Sequence, residues 1–410
     1  MPRAHALILE KIHHTADEGF AQGDVQVHRI DRALGEEELI LALRGLPDEP
    51  CFVGIRSKTK VSARVFEAVP KLLAVGAFCI GTDQIDLAAA RARGVAVFNA
   101  PFSNTRSVAE LVMAQVVMLS RQIFPRNAAA HRGEWMKSAD GAHEVRGKTL
   151  GIVGYGHIGT QLSILAEAFG MRVIFFDIEK KLPLGNARAE PTLHEMLSRS
   201  DFVTLHVPDT ELTRNMIGVA ELQAMKPGAY LINASRGKVV DIPALRDAIR
   251  DGRLGGAAID VYPREPKSNE DRFESELQGF DNVILTPHIG GSTQEAQANI
   301  GTEVSAALSK YLAVGSTGGC VNLPALDVPL PGRGSRIVNL HRNQPGVLSR
   351  INQVIAASNI NIVGQSLGTL EDVGLLLIDV PVGTGDPQAG ELTASIAALD
   401  TSLRTRLLPG

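Results

Sequence analysis

The stretch LGIVGYGHIG, residues 150–159, decides the fold of this chain. Its apolar start predicts a buried strand, and a helical pattern follows its last glycine. In this setting Gly154 permits a tight turn, Gly156 lets backbone N–H groups approach a pyrophosphate, and Gly159 allows the helix to pack closely on the strand. The stretch therefore predicts a dinucleotide-binding loop, with the phosphates at the N-terminus of the helix. The alternative is a purely structural turn between strand and helix.

The next predicted strand, residues 172–176, is followed directly by Asp177. A carboxylate at this position accepts hydrogen bonds from the adenosine ribose hydroxyls and repels a 2′-phosphate. The cofactor is therefore expected to be NAD, although Lys180 and Lys181 follow closely and keep NADP as the alternative.

The glycine loop lies in the middle of a chain of 410 residues, which implies that another α/β domain precedes it. Strand and helix patterns alternate on both sides of the loop, which predicts two Rossmann-like domains with doubly wound parallel sheets. A helix predicted over residues 107–121 is apolar on nearly every side and is either a core helix or a subunit interface. The segment 313–334 is rich in glycine and proline and is predicted to be a linker, extended at its proline-rich part.

The C-terminal part of the chain predicts a module of its own. Its patterns follow the order strand, helix, strand, strand, helix, strand, which is the βαββαβ order of a ferredoxin-like fold. The expected domains are a substrate-binding domain over residues 1–103 and 296–330, an NAD-binding Rossmann domain over residues 104–295, and the C-terminal module over residues 335–410.

Composition argues against several classes of function. The net charge is −4, with 21% charged residues, so we expect neither nucleic acid nor a membrane surface as a partner. The three cysteines, Cys51, Cys79 and Cys320, are widely spaced and form no disulfide framework or CxxC motif, so we expect no metal site and a reducing compartment. The chain shows no secretory signal pattern and no apolar run near the ~20 residues that span a bilayer. A cytoplasmic protein is the expectation.

Arg236, Glu265 and His288 each follow a predicted strand of the second domain, at the carboxyl edge where ligands bind in doubly wound sheets. Histidine can take the hydroxyl proton of an alcohol as hydride leaves to NAD, and a carboxylate can orient the imidazole and raise its pKa. Arginine can hold a substrate carboxylate. Each residue alone has an ordinary explanation, as a solvated arginine, a loop glutamate or a core histidine, but their joint occurrence is more specific. The three therefore predict a 2-hydroxy acid dehydrogenase.

Three segments around these residues carry a resemblance to a known family. NASRG at 233–237, DVYPREP at 260–266 and TPHIGGS at 286–292 resemble the signatures of the D-isomer-specific 2-hydroxyacid dehydrogenases. The resemblance is also close over residues 98–110 and extends over nearly the whole chain.

This resemblance implies roles for individual residues. Arg236, Glu265 and His288 would be the catalytic set, with His288 as the acid/base, and Asp260 would hold the nicotinamide carboxamide. The residues expected to line the cofactor are Gly154, Gly156, His157, Ile158, Gly159, Asp177, His206, Val207, Pro208, Ala234, Ser235, Arg236, Asp260, His288, Gly290 and Gly291.

Within the family the chain is similar to members that oxidise 3-phospho-D-glycerate with NAD and form homo-oligomers, as tetramers. The resemblance implies that Arg56, Ser57 and Asn104 bind the substrate, that Lys58 adds a further basic group, and that Lys137 approaches the phosphate from a neighbouring subunit. Two cations after a buried strand suit a phosphorylated acid, although an ordinary charged turn gives the same pattern. The alternatives are the same chemistry on 2-hydroxyglutarate or glycerate, and an NAD-sensing binding protein without activity.

The segment HRNQPGVL, residues 341–348, resembles ACT domains. The resemblance implies a regulatory domain with L-serine as a feedback inhibitor, bound by His341, Asn343 and Asn361. Side-chain amides suit this ligand because they can donate to its carboxylate and accept from its ammonium group. The alternative is a dimerisation module without an effector.

Overall fold

The computed structural model describes residues 3–266 and 270–410, which fall into two compact units. Unit 1 comprises Met1–Ser103 and Gln297–Gly410, and unit 2 comprises Asn104–Ala296. Both units contain a parallel sheet with helices between its strands, and unit 1 also contains the C-terminal module. The C-terminal module therefore belongs to the same compact unit as the first domain.

The first part of unit 1 consists of β1 (Ala4–Leu9), α1 (Thr15–Gln22), β2 (Val25–Ile30), α2 (Glu36–Arg44), β3 (Cys51–Ile55), α3 (Ala63–Ala68), β4 (Leu72–Ala77), α4 (Leu87–Ala92) and β5 (Ala96–Asn99). The strands pair in parallel in the order β2-β1-β3-β4-β5. Strands β1, β3 and β4 are buried along their whole length, which explains why their sequences are apolar runs without alternation.

Unit 2 consists of α5 (Thr105–Arg121), α6 (Ile123–His131), β6 (Thr149–Val153), α7 (His157–Ala168), β7 (Arg172–Phe176), β8 (Arg188–Ala189), α8 (Leu193–Arg199), β9 (Phe202–Leu205), α9 (Val219–Ala224), β10 (Tyr230–Asn233), α10 (Ile242–Arg250), β11 (Gly256–Ile259), β12 (Val283–Leu285) and the start of α11 (Gln294–Val314). The parallel strands follow the order β12-β11-β10-β9-β6-β7-β8. The strand order reverses between β6 and β9, which makes this point the ligand-binding crevice of a doubly wound sheet.

The long apolar helix predicted before the glycine loop is α5. Its buried side chains include Val108, Val112, Val116 and Leu119, which pack in the core on one face of the unit 2 sheet. Within the described residues, no single helix has both the length and the apolar character needed to cross a membrane, and one bent pair, α5 with α6, meets that test by length and composition together.

The C-terminal module consists of β13 (Ser335–Arg342), α12 (Val347–Ala357), β14 (Gly364–Leu370), β15 (Val373–Val380), α13 (Pro387–Ala397) and β16 (Ser402–Pro409). The strands form an antiparallel sheet in the order β14-β15-β13-β16, with α12 and α13 packed on one face. This arrangement confirms the predicted βαββαβ module, and the two parallel sheets confirm the predicted fold class.

The other face of this antiparallel sheet is covered by α11. Val338 and Leu377 belong to the same buried cluster as Leu308 and Tyr311 of that helix. The guanidinium of Arg406 on β16 lies 4.4 Å from the centre of the Tyr311 ring. A continuous apolar core thus joins the module to the rest of unit 1.

The segment between α11 and β13 is hydrogen-bonded to the first sheet before its proline-rich part, a contact that the predicted linker did not include. The Val321 N–H donates to the carbonyl of Val97 on β5 at 2.9 Å. The buried Asn322 side chain accepts the Val97 N–H at 2.8 Å and donates to the Val95 carbonyl at 2.9 Å. This part of the segment therefore completes the edge of the first sheet. Gly318 and Gly319 form a turn within it, and turns share their glycine content with flexible linkers.

Candidate active site

The glycine loop after β6 has a backbone that depends on glycine. Gly154 has a φ of +89°, and a Cβ atom added to it would collide with the carbonyl oxygen of His206. A Cβ atom on Gly159 would lie 2.5 Å from the Gly154 carbonyl oxygen, whereas Gly156 faces open space. Helix α7 begins at His157, earlier than the helical pattern alone indicates, so the N–H groups of its first turn open directly onto the loop.

Asp177, the residue after β7, is fixed beside this loop. One of its carboxylate oxygens accepts the Tyr155 N–H at 2.8 Å, and the other accepts the Glu179 N–H at 2.9 Å. Each oxygen retains a lone pair, so the carboxylate can still accept ribose hydroxyls. Lys181 is one of the two lysines for which NADP remained an alternative cofactor. Its ammonium group forms an ion pair with the Glu179 carboxylate at 2.5 Å.

His206 contributes a buried ring nitrogen at the point where the strand order reverses. Its Nε2 atom lies 3.1 Å from the Thr204 hydroxyl, and its Nδ1 atom is buried without a hydrogen-bond partner in the described part of the chain. Burial lowers the pKa of His206 to about 3, so the ring is neutral. The glycine loop, the Asp177 carboxylate and this unpartnered nitrogen together fit a dinucleotide, whose phosphates and ribose offer the missing bonds.

The turn after β10 carries Arg236 and is organised by Asn233, to which the sequence analysis gave no role. The buried Asn233 side chain accepts the N–H and the hydroxyl of Ser235 at 3.1 and 2.8 Å, and it donates to the Arg236 carbonyl at 3.0 Å. The Arg236 guanidinium donates to the Ser235 carbonyl at 2.8 Å. These bonds fix the backbone from which the Arg236 side chain projects. An asparagine just before a turn is the sequence signal for this role.

Asp260 organises the loop that carries His288. One oxygen of this buried carboxylate accepts the Ile289 N–H at 2.9 Å and the Thr286 hydroxyl at 2.6 Å. The other oxygen accepts the Gly290 N–H at 2.9 Å. The family resemblance implied only a contact with the nicotinamide, so the loop-building role is an addition from the structure.

His288 and Glu265 form a close acid/base pair. The His288 Nδ1 atom lies 3.0 and 2.9 Å from the two carboxylate oxygens of Glu265. This hydrogen bond raises the pKa of His288 and outweighs partial burial, which acts in the opposite direction. Partial burial acts to raise the pKa of Glu265, but its bond to His288 and the charge of Arg236 hold that pKa below its ordinary value. About half of the His288 side chain (52%) is exposed, so the ring is accessible to a substrate.

One pocket of unit 2 collects the three predicted catalytic residues. Its lining residues are Asp209, Arg236, Gly237, Lys238, Val261, Tyr262, Pro263, Glu265 and His288. Asp209 lies 3.6 Å from the Lys238 ammonium group and 3.2 Å from the Arg214 guanidinium, so the pocket is more charged than the sequence analysis foresaw. Asp209 lies shortly after the end of β9. The rule that ligands bind at the carboxyl ends of parallel strands, which predicted Arg236, could also have predicted Asp209.

The predicted cofactor-lining residues all belong to unit 2, after strands β6, β7, β9, β10, β11 and β12. They include His157 and Ile158 at the start of α7, Val207 and Pro208 after β9, Ala234 after β10, and Gly290 and Gly291 after β12. Because all these strands are parallel, these residues share one edge of the sheet.

The predicted substrate residues are divided between the units. Arg56, Ser57 and Lys58 follow β3 in unit 1. Lys137 lies in unit 2, on an exposed stretch between α6 and β6. Asn104 is the N-cap residue of α5, and its Oδ1 atom is buried without a hydrogen-bond partner in the described residues. Their contacts with a substrate stay predictions.

A second pocket lies at the start of α12 in the C-terminal module. Its lining residues are His341, Asn343, Gln344, Gly346, Val347, Leu348, Ser349, Leu367 and Thr369. Burial lowers the pKa of His341, although a hydrogen bond with the Asn339 backbone acts against this effect. The His341 Nδ1 atom also lies 3.0 Å from the Asn339 side-chain oxygen. The pocket thus brings together His341 and Asn343, whereas the exposed Asn361 is not among the lining residues.

The fold and this site define a class of protein, the NAD-dependent oxidoreductases of 2-hydroxy acids. The model of the D-isomer specific 2-hydroxyacid dehydrogenase NAD-binding domain matches residues 113–290, and the model of an AHAS small subunit-like ACT domain matches residues 337–403. The chain belongs to the D-isomer specific 2-hydroxyacid dehydrogenase family. The predicted family, cofactor and C-terminal ACT domain are thereby confirmed.

Two full-length relatives and one solved structure show the extent of the similarity. The chain is 50% identical to D-3-phosphoglycerate dehydrogenase of Haemophilus influenzae, over 98% of this chain and 96% of the relative. It is 51% identical to D-3-phosphoglycerate dehydrogenase of Escherichia coli K12, over 98% of this chain and 97% of the relative. A D-lactate dehydrogenase of Aquifex aeolicus, complexed with NAD and lactic acid, is 27% identical, with a TM-score of 0.67 over 78% of this chain and 100% of that structure.

Proposed function

We propose that the chain oxidises 3-phospho-D-glycerate to 3-phosphohydroxypyruvate with NAD, the first step of L-serine biosynthesis. The observation that carries the proposal is the His288–Glu265 pair, which shares a pocket with Arg236 in the unit that holds the glycine loop. The name of the two full-length relatives supports this choice of substrate.

His288 is the proposed acid/base. Its Nδ1 atom faces Glu265, which leaves Nε2 to take the hydroxyl proton of the substrate. Bound NAD supplies the acceptor for the hydride that leaves the same carbon. The Glu265 carboxylate stabilises the imidazolium that forms, because an opposite charge favours the protonated ring. In the reverse direction, the protonated ring returns its proton to the carbonyl oxygen.

Arg236 is the proposed clamp for the substrate carboxylate. One guanidinium nitrogen is held by the Ser235 carbonyl, and the remaining donors suit a carboxylate and the neighbouring oxygen atom. For the phosphate group we propose Arg56, Ser57 and Lys58, which supply two cations and a hydroxyl. We assign Asn104 to the substrate as well, and Lys137 to the phosphate of a neighbouring subunit's substrate.

NADH formation, followed by absorbance, tests the proposed function. With 3-phospho-D-glycerate we expect kcat/KM to exceed that with D-glycerate or 2-hydroxyglutarate by about a hundredfold or more, because unpaired cations in the site disfavour a substrate without phosphate. Equal or higher kcat/KM with either alternative acid would contradict the proposed substrate. NAD binding without NADH formation from any of the three acids would instead indicate a binding protein.

Replacing Glu265 by glutamine is expected to move the pH dependence of the oxidation. Oxidation requires neutral His288, so its rate rises with pH through the pKa of this residue. The hydrogen bond and charge of Glu265 raise that pKa, and their loss shifts the acid limb of the profile to lower pH. Turnover at the plateau should fall on the order of tenfold. Glu274→Gln, at an exposed position of the same unit, is the control. An unmoved acid limb in Glu265→Gln would contradict the assigned role.

For the ACT domain we propose L-serine as an inhibitory ligand of the second pocket. The start of α12 offers free N–H groups to a carboxylate, and Asn343 offers an amide. The Asn343 backbone is fixed by a bond from its N–H to the Asp372 carbonyl at 2.7 Å. The contribution of Asn361 from outside the pocket stays a prediction.

Calorimetry on the intact protein tests this site. We expect Asn343→Ala to weaken serine binding by about tenfold or more, because a hydrogen bond to a charged ligand is lost. Asn352→Ala, at an exposed position on α12, should bind serine like the unchanged protein. No heat of serine binding to the unchanged protein would exclude serine as the ligand.

We also propose a homo-oligomer, specifically a tetramer. Trp135 is 87% exposed and Met136 is 53% exposed within one stretch of unit 2, which suits burial against a second subunit. Light scattering measures the mass directly. A cytoplasmic location remains a prediction.

A further inference from the structure

Tyr262 bridges the two strand ends that carry the acid/base pair. Its side chain is almost fully buried, and its ring packs edge-on against Phe273, with the ring centres 4.6 Å apart. Its hydroxyl lies 2.8 Å from the Ile259 carbonyl oxygen and 2.9 Å from the Thr286 carbonyl oxygen. The pairing of β11 with β12 ends at Ile259 and Leu285. The backbone hydrogen bonds between the two segments continue past these residues, since the Thr286 N–H donates to the Ile259 carbonyl at 3.0 Å. The hydroxyl therefore adds a side-chain link to the backbone bonds that join the two strand ends.

The same hydroxyl is linked to the backbone of His288 through one shared hydrogen-bond partner, the Thr286 carbonyl oxygen. The Thr286 carbonyl that faces Tyr262 also accepts the His288 N–H, at 3.0 Å, and this N–H lies 2.8 Å from the Asp260 carbonyl. His288 has a φ of +53°, in the left-handed region that a residue other than glycine adopts only where its surroundings impose it. The bonds around Thr286 supply part of that constraint.

Tyr262 also contacts the second member of the pair. Its backbone N–H donates to a Glu265 carboxylate oxygen at 3.2 Å, and this oxygen lies 3.0 Å from Nδ1 of His288. Tyr262 therefore holds Glu265 through its main chain and the His288 loop through its hydroxyl. Among the described residues of the pocket, no other makes hydrogen bonds to both sides of the pair in this way.

We propose that Tyr262 is a positioning residue, whose hydroxyl keeps the His288 ring against Glu265 in the geometry that proton transfer requires. The proposal rests on the function assigned to the pair. Phenylalanine at this position would keep the ring packing on Phe273 and remove only the hydroxyl. Tyr262→Phe therefore separates the effect of the hydroxyl on the position of His288 from the effect of the ring on packing.

The test compares Tyr262→Phe with Tyr230→Phe. Tyr230 lies on β10, where its ring stacks on Phe202, and it is outside the pocket. In Tyr262→Phe we expect kcat/KM for 3-phospho-D-glycerate to fall about fivefold, the effect of one lost hydrogen bond on the transition state. The acid limb of the pH profile should move to lower pH, because a His288 ring that is held less firmly against Glu265 loses the bond that raises its pKa. Tyr230→Phe should match the unchanged enzyme in both measurements.

The midpoint of the acid limb does not depend on how much enzyme is correctly folded, so it stays informative if Tyr262→Phe is less stable. A lower thermal midpoint with an unmoved acid limb would show a purely structural role and overturn the proposal. Unchanged kcat/KM and an unchanged acid limb would overturn it too. NMR titration of the His288 ring gives the same comparison without turnover: a lower His288 pKa in Tyr262→Phe supports positioning even if 3-phospho-D-glycerate proves not to be the substrate, and an equal pKa overturns it.

Discussion

His288→Ala is expected to reduce the turnover of 3-phospho-D-glycerate by about 10²–10⁴-fold, the usual contribution of a general base. No other imidazole lines the described part of the pocket, so no neighbouring histidine can replace His288 as the base. NAD affinity should change little, since the glycine loop and Asp177 lie on other strand ends. Steady-state kinetics and calorimetric titration with NAD measure the two properties separately.

His194→Ala is the matched control for this variant. His194 lies on α8 of the same unit, with 61% of its side chain exposed, so its removal tests the general effect of losing an imidazole. We expect turnover close to that of the unchanged enzyme. Retention of turnover in His288→Ala would remove His288 from the proposed mechanism.

Arg236→Ala is expected to lower kcat/KM by about 10²–10³-fold, as the loss of one oxyanion-stabilising group does in other enzymes. Both kcat and KM should be affected, because the guanidinium is proposed to hold the substrate carboxylate and to stabilise the oxygen that becomes a carbonyl. Arg236→Lys keeps the charge but loses the planar fork, so it should recover only part of the activity.

Arg250→Ala serves as the control for Arg236. Arg250 is the last residue of α10, with 58% of its side chain exposed, and it pairs with Asp247 and Asp251 at the surface. Its removal should leave kcat/KM unchanged. If Arg236→Ala raised KM and left kcat intact, Arg236 would bind the substrate without stabilising the transition state.

The sequence allowed the residues at the sheet edge to be predicted because parallel strands bring their carboxyl ends together whatever the loops between them do. That rule placed Arg236, Glu265 and His288 in one pocket. It could not foresee how Asn233 and Asp260 hold the turns, because most of their partners are backbone groups whose directions follow from the folded loops. The contacts of the Tyr262 hydroxyl could not be predicted for the same reason, since both are with backbone carbonyl groups.

The packing of the C-terminal module was also beyond the sequence. Its strands and helices follow from the apolar patterns of their sequences. Which surface covers the second face of its sheet depends on contacts with Leu308 and Tyr311, far away in the chain. The composition of the segment before β13 suggested flexibility, whereas Asn322 binds it to β5.

The covered face of the antiparallel sheet in the C-terminal module limits how this domain can be exchanged between enzymes. The guanidinium of Arg404 on β16 donates to the carbonyls of Leu72 and Pro70 at 2.7 and 3.0 Å, and Tyr311 of α11 packs under Arg406. A recombination event that carried only residues 335–410 to another enzyme would leave an apolar sheet and two half-buried arginines without their partners. A transferable unit of inheritance, or of protein engineering, must therefore include α11 and the surface around β4 together with the ACT domain.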